Sequence, residues 1–163
     1  VVFRMLHPTA WFPYLGNEAS CVLRVESRHG SILLTGDVGE YVERRLLSDQ
    51  ADALRNEIVV VGHHGSAGSS IAPFVQATGA RLALVSSGAG NRFNHPRPAV
   101  VARWCEAGAE VLDTARSGAI RAWLGEDGLQ VREWRRARPR LWDAARLRHG
   151  AAGLCYPPET QWP

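Results

Sequence analysis

Lysine is absent from the sequence, so all 19 cationic side chains are arginines. A guanidinium group can bind two oxygens of one phosphate at once, and it stays charged, so this composition suits a polyanionic partner. A GC-rich coding bias gives the same composition without such a partner, and both interpretations stay open. The net charge is only +3. Much of the basic excess lies in residues 132–148, where a solvated tail is an equally good explanation.

Other absences exclude further classes. No apolar run approaches the ~20 residues of a membrane-spanning helix, and residues 1–6 are expected to form a strand rather than a secretory signal. No Cys-x-x-Cys pair occurs, which argues against a thiolate zinc site. The three cysteines, Cys21, Cys105 and Cys155, are odd in number and scattered, which argues against a disulfide framework. We expect Cys21 and Cys105 to be buried thiols.

The chain has 163 residues, of which 45% are hydrophobic, enough for one domain with a real core. It does not begin with methionine, and we expect it to be a piece of something longer. Apolar periodicity predicts a hairpin, then strand–helix units, then a second hairpin. The predicted strands are 1–6, 21–25, 31–35, 58–61, 83–85, 110–112, 119–124 and 129–134, and the predicted helices are 40–47, 69–77 (capped by Ser69 or Ser70) and 98–107.

This order predicts an α/β (α+β) fold with a mixed sheet and helices on one face. We place one domain over residues 1–134. Residues 135–163 are rich in Arg, Trp and Pro, and we expect a weakly ordered tail there, with a short helix over Leu141–Leu147.

Three strand ends carry polar groups. Ile58–Val61 leads into Gly62-His63-His64-Gly65-Ser66, Ile32–Leu34 leads into Thr35-Gly36-Asp37, and a glycine-rich loop contains Asn91–Pro96. Parallel strands present such ends at one edge of a sheet, which is where α/β folds place their sites. We therefore expect these groups to meet around one cation.

Each residue has a competing explanation. Asp37 suits a metal ligand or a helix N-cap. His63 and His64 suit metal ligands, or a surface pair in a loop. His95 suits a general acid or a phosphate contact beside Arg92, or a loop histidine packed on its proline. Asn17 and Ser20 suit a role at the same edge, or a turn and strand entry. The other three histidines, His7, His29 and His149, are expected to be exposed.

Taken together, the segments Asn17–Ser20, Leu34–Asp37, Gly62–Ser66 and Asn91–Pro96 resemble the later motifs of the metallo-β-lactamase superfamily. Within it they are most similar to the C-terminal domain of the ComEC-type DNA-internalisation proteins of bacterial competence. The resemblance covers residues 1–134 and implies the second half of an αββα sandwich.

The resemblance also implies roles. Asp37 would be a metal-bridging ligand. His63 and His64 would be the last metal ligand and a catalytic neighbour, with His64 favoured as the ligand. His95 and Arg92 would be catalytic or contact phosphate. The substrate-binding residues would be Asn17, Ser20, Ser66, Asn91 and Arg92.

The superfamily's first ligand cluster, of the His-x-His-x-Asp-His type, does not occur in this chain and would lie upstream of Val1. We therefore expect an incomplete site for one or two divalent ions, zinc or manganese, and an isolated chain that can be inactive.

The implied function is a phosphodiesterase or nuclease acting on single-stranded DNA during uptake. Its partner would be the membrane channel domain of the same inner-membrane protein, while this chain itself is expected to be soluble. Two alternatives are a small-molecule ester or thioester hydrolase and a non-catalytic, DNA-binding or channel-associated module.

Overall fold

A six-stranded mixed sheet organises the chain, with strands in the order β1-β2-β3-β4-β5-β6. The computed structural model describes residues 1–140 and 154–155. The strands are β1 (Val2–His7), β2 (Val22–Ser27), β3 (Gly30–Leu34), β4 (Ile58–Val60), β5 (Leu82–Val85), β6 (Glu110–Asp113), β7 (Ile120–Gly125) and β8 (Gly128–Glu133). The helices are α1 (Glu40–Asp49), α2 (Ala72–Thr78), α3 (Pro98–Glu106), α4 (Thr114–Ser117) and α5 (Trp134–Ala137).

Strand direction changes within this sheet. β1, β2 and β3 are antiparallel neighbours, whereas β3, β4, β5 and β6 run parallel. Leu34 pairs with Val60, and Val60 pairs with Leu84, so these strands end at the same level. The loops that follow β3, β4 and β5 therefore share one edge with the segment that enters β2.

The two faces of the sheet are covered differently. Leu33 and Val59 are buried in one cluster with Val42 of α1, Phe74 of α2 and Trp104 of α3. On the other face, strand residues pack with the β7–β8 hairpin in a second cluster of Ile58, Leu82, Leu112 and Leu129. Successive residues of a strand alternate between faces, which explains the two sets. The predicted mixed α/β fold with helices on one face of the main sheet is confirmed.

Helix α2 begins later than predicted and is not capped by a serine. Its N-cap is Ile71, which makes no side-chain capping bond. The hydroxyl of Ser69 donates instead to the carbonyl oxygens of Gly62 (2.8 Å) and Ser66 (3.0 Å). Ser69 thus closes the loop between β4 and α2 rather than starting the helix.

The prediction of unpaired cysteines was wrong. Cys105 of α3 and Cys155 form a disulfide across 50 residues, and Cys21 is free and exposed rather than buried. The backbone around Cys155 also pairs with Val111 on the outer edge of β6. Spacing along the chain does not show which cysteines become neighbours, so the sequence carried no signal for this bond.

The predicted helix over residues 141–147 lies outside the described residues. Among the helices of residues 1–140, none has the length and apolar character needed to cross a bilayer.

Candidate functional site

The loops after β3 and β4 are joined directly through their backbones. The N–H of His63 donates to the carbonyl oxygen of Gly36 at 3.0 Å, and the Thr35 hydroxyl donates to the Val60 carbonyl at 2.6 Å. Asp37 follows Gly36 immediately, so the carboxylate and the histidine pair are held at one edge of the sheet.

Asp37 does not cap α1. The N-cap of that helix is Gly39, whose N–H donates to the side chain of Glu18 at 3.1 Å. The carboxylate of Asp37 is partly exposed and lies 3.4 Å from Nε2 of His64.

His64 is oriented by a backbone carbonyl. Its Nδ1 lies 2.8 Å from the Ser86 oxygen, at the end of β5. A carbonyl can only accept, so Nδ1 carries the proton and the neutral ring has its lone pair on Nε2, which faces Asp37. Two acceptors that face each other at this distance suit a cation between or beside them. A protonated ring would instead form an ion pair with the carboxylate.

The histidine turn has an uncommon backbone. His63 and His64 both lie in the left-handed region, with φ values of 49° and 55°, and consecutive non-glycine residues rarely do so. This turn changes the strand alternation, so both rings reach the same edge. His63 points its Nε2 to the Asn17 side-chain nitrogen at 3.2 Å, so this Nε2 is the acceptor.

Two glycines allow the loops to approach closely. A Cβ on Gly65, at φ +77°, would lie 2.7 Å from Cβ of Pro96, and one on Gly36, at φ +56°, would lie 2.9 Å from Cβ of Ser20. Ser20 is thus placed against the turn before Asp37. Ser66 donates its N–H to the His63 carbonyl at 2.9 Å and closes the turn.

The loop that carries His95 is held by Asn91. The Asn91 side chain accepts from the His95 N–H at 2.9 Å and donates to the carbonyl oxygens of His95 (2.6 Å) and Gly88 (3.0 Å). Arg97 donates its N–H to the Gly65 carbonyl at 2.9 Å. Asn91 therefore fixes the loop against the histidine turn.

His95 completes a row of rings beside the site. Its ring lies 6.2 Å from that of His63, edge to face, and 5.7 Å from that of Phe93, stacked. Desolvation, together with the charges of Arg97 and His63, lowers the pKa of His95. The imidazole is therefore neutral at neutral pH. The guanidinium of Arg92 lies 4.7 Å above the Phe93 ring, so it stacks on that ring.

Sequence reasoning missed several contributors. Ser86 acts through its carbonyl, which no side-chain pattern reveals. Glu43 of α1 is buried and accepts from the N–H groups of Ser70 (2.6 Å) and Ile71 (2.8 Å), behind the histidine turn. His7 was expected to be exposed, but it is 3% exposed. Its Nε2 lies 2.7 Å from the Glu18 carbonyl, so that prediction was wrong.

Asp37 and His64 bring a carboxylate and an imidazole within 3.4 Å of each other. Within residues 1–140 and 154–155, no group of three or more His, Cys, Asp or Glu side chains could hold an ion. Asp37 and His64 form a matched pair, and a complete coordination shell needs further ligands.

The chain is similar in sequence to several curated bacterial proteins. The chain is 36% identical over 135 residues to "Competence protein ComA" of Neisseria gonorrhoeae, which covers 83% of this chain and 20% of that protein. The chain is similar to bacterial competence proteins. It is also 33% identical over 118 residues to "ComE operon protein 3" of Bacillus subtilis, covering 72% of this chain and 15% of the relative.

"Recombination protein 2" of Haemophilus influenzae matches at 30% identity over 136 residues, covering 82% of this chain and 16% of the relative. The chain thus spans between 15% and 20% of the length of these curated relatives. No family model matches the chain, and no solved structure matches it.

Proposed function

We propose that this chain is part of a metal-dependent phosphodiesterase that acts on single-stranded DNA during competence DNA uptake. The observation that carries the proposal is the His64 ring, whose Nδ1 is fixed by the Ser86 carbonyl and whose Nε2 faces Asp37 at 3.4 Å. A histidine held through one nitrogen to a backbone carbonyl is the usual arrangement of a metal ligand. The similarity to competence proteins supports DNA as the substrate.

Asp37 and His64 would hold a divalent cation, because a carboxylate and an imidazole suit zinc and manganese. When bound, such an ion lowers the pKa of water and offsets negative charge on phosphate oxygens. The described residues give two ligands, so the remaining ones would come from another part of the protein.

The chain's own groups would act around the phosphate. His95, whose pKa is lowered, is a neutral imidazole that can exchange a proton with a leaving or attacking oxygen. Asn17 holds the ring of His63 beside it. The cationic side chains of Arg92 and Arg97 are exposed on the same loop and would attract the DNA backbone.

Calorimetric titration of the 163-residue chain with manganese or zinc chloride tests the metal pair. We expect Asp37→Asn to weaken binding at least about tenfold, because it removes one of two ligands. Asp127→Asn is the matched control, since Asp127 is an exposed carboxylate in the β7–β8 turn, and it should bind as the parent does. Unchanged affinity in Asp37→Asn would remove Asp37 from the site.

Substrate class is tested separately by affinity. Binding of single-stranded DNA that falls steeply with salt, without hydrolysis of small esters, is expected for the phosphodiesterase. Ester hydrolysis without DNA affinity would instead support a small-molecule hydrolase. Binding of DNA with no uptake of either metal would support a non-catalytic module.

A further inference from the structure

Phe93 is an exposed aromatic ring that the core does not use. It is 55% exposed, although the loop that carries it is tied down on both sides. The Asn91 side chain makes three bonds to this loop, and Arg97 joins it to Gly65. An apolar ring held in solvent by a fixed loop is unfavourably hydrated. A ligand that covered the ring would gain free energy by removing this apolar surface from water.

The ring is continuous with the candidate site. Phe93 stacks on His95 at 5.7 Å with an angle of 26° between the planes, and His95 meets His63 at 6.2 Å. His63 is the neighbour of His64 in the turn that faces Asp37. A flat group stacked beside Phe93 would therefore lie at the far end of a row of three rings, Phe93, His95 and His63, that leads to the histidine turn.

Arg92 adds the charge that such a ligand needs. Its guanidinium lies 4.7 Å over the Phe93 ring. Guanidinium planes stack on nucleobases and also pair with phosphate oxygens, so an arginine on an aromatic ring is suited to an anionic, base-carrying ligand.

A second loop on the same edge carries exposed rings too. Trp11 is 95% exposed and Tyr14 is 87% exposed. They lie in the connection between β1 and β2, which continues to Asn17 and its contact with His63. Exposed rings thus occur on two separate loops whose ends reach the His63 ring.

From this placement we propose that Phe93 and the guanidinium of Arg92 over it form one base-stacking platform, on which unpaired nucleotides lie at the end of the row of rings that leads to His63. The proposal rests on the proposed function and adds a basis for selecting single strands. Bases in a duplex are stacked on each other and cannot lie on a protein ring, whereas every unpaired base has a free face. The platform acts by positioning DNA and not by taking part in bond cleavage.

The test compares two ligands on the 163-residue chain by fluorescence anisotropy. One is an oligothymidine of about 12 nucleotides, within the range of known single-strand sites. The other is an abasic deoxyribose-phosphate chain of the same length. We expect the parent to bind the oligothymidine about tenfold more tightly, a difference of about 1.4 kcal/mol, because one base stacks on the protein.

Three variants locate the effect. Phe93→Leu should lose the preference for oligothymidine while its affinity for the abasic chain stays unchanged, and Phe93→Tyr should keep the preference. Trp123→Leu is the matched control, because Trp123 is 42% exposed and has the guanidinium of Arg121 over its ring at 5.5 Å, but it lies on the β7–β8 hairpin.

The outcomes separate the two proposals. A preference for bases that survives in Phe93→Leu, or equal binding of both ligands by the parent, overturns base stacking. Salt-dependent binding of the abasic chain would then leave the proposed function standing. Failure of the parent to bind either ligand overturns both proposals.

Discussion

At the residue scale, the Gly62–Ser66 motif needs glycine at position 65, because a side chain there would collide with a neighbouring loop. The φ of Gly65 is +77°, and a Cβ there would lie 2.7 Å from Cβ of Pro96. We expect Gly65→Ala to lower the free energy of unfolding by about 2 kcal/mol, from backbone strain and overpacking together. Urea denaturation measures this. Gly68→Ala is the control, because nothing lies within 4 Å of its Cβ position. Equal stability of the two variants would contradict the close approach.

The two adjacent histidines should differ in their effect on metal affinity. His64 is fixed by Ser86 and faces Asp37, whereas the Nε2 of His63 lies against Asn17. We therefore expect His64→Ala to weaken manganese or zinc binding at least about tenfold, and His63→Ala to weaken it less. Titration calorimetry of both variants gives the order, and His29→Ala controls for general loss of an imidazole. The reverse order would exchange the two assignments.

Single residues also show the limits of sequence reasoning. His63, His64 and Asp37 could be selected as candidate site residues from the sequence, because imidazole and carboxylate groups at the ends of apolar strands are poorly explained by core packing. Ser86 could not, since its carbonyl acts and every residue has one. His7 was misplaced because its burial against the Glu18 carbonyl depends on how β1 lies beside the following loop.

At the scale of elements, helix α1 is tied through Glu43 to the segment between the histidine turn and α2. Burial raises the pKa of Glu43 from 4.5 to about 7, although the N–H groups of Ile71 and Ser70 and the charge of Arg103 lower it in part. The folded state therefore holds this proton more tightly than the unfolded chain does. The stability linked to Glu43 is fully present below pH 4.5 and is lost as pH rises through about 7.

Glu43→Gln should reduce the dependence of stability on pH in this window, because its side chain cannot ionise. Unfolding free energies from urea titrations at about pH 5 and about pH 8 measure the change. Glu40→Gln is the matched control, since Glu40 lies on the same helix with its side chain 52% exposed, and it should keep the parent's dependence. A Glu43→Gln protein with the parent's pH dependence would show that Glu43 is not the group that titrates.

Most elements could be predicted because their patterns are local. The apolar run at Ile58–Val60 and the alternation in the β7–β8 hairpin place strands within a few residues of where they lie. Prolines in the first turns of α2 and α3 are also local signals, because they mark where a helix begins. The start of α2 was predicted wrongly because the Ser69 hydroxyl donates to the carbonyl oxygens of Gly62 and Ser66 instead of capping the helix. Those bonds depend on the tertiary structure, which the local sequence pattern does not show.

For the molecule as a whole, β3, β4 and β5 end at one edge, where Asp37 and His64 face each other. The order of the motifs predicted this shared edge, since parallel strands end together. That the remaining metal ligands come from outside this chain stays a prediction. The relatives are several times longer than this chain, and we propose that the enzyme draws its other metal ligands from elsewhere in its length.

The Cys105–Cys155 disulfide ties the end of the described chain to α3 and to the edge of β6. It closes a loop across 50 residues, and loop-closure entropy for that length corresponds to about 4 kcal/mol of stability. We expect the double variant Cys105→Ser/Cys155→Ser, or treatment with reductant, to lower the free energy of unfolding by up to about 4 kcal/mol in urea titrations. Cys21→Ser is the control, because Cys21 is free and exposed, and it should leave the response to reductant unchanged. Three titratable thiols in the untreated native chain, or unfolding that reductant does not alter, would contradict the bond.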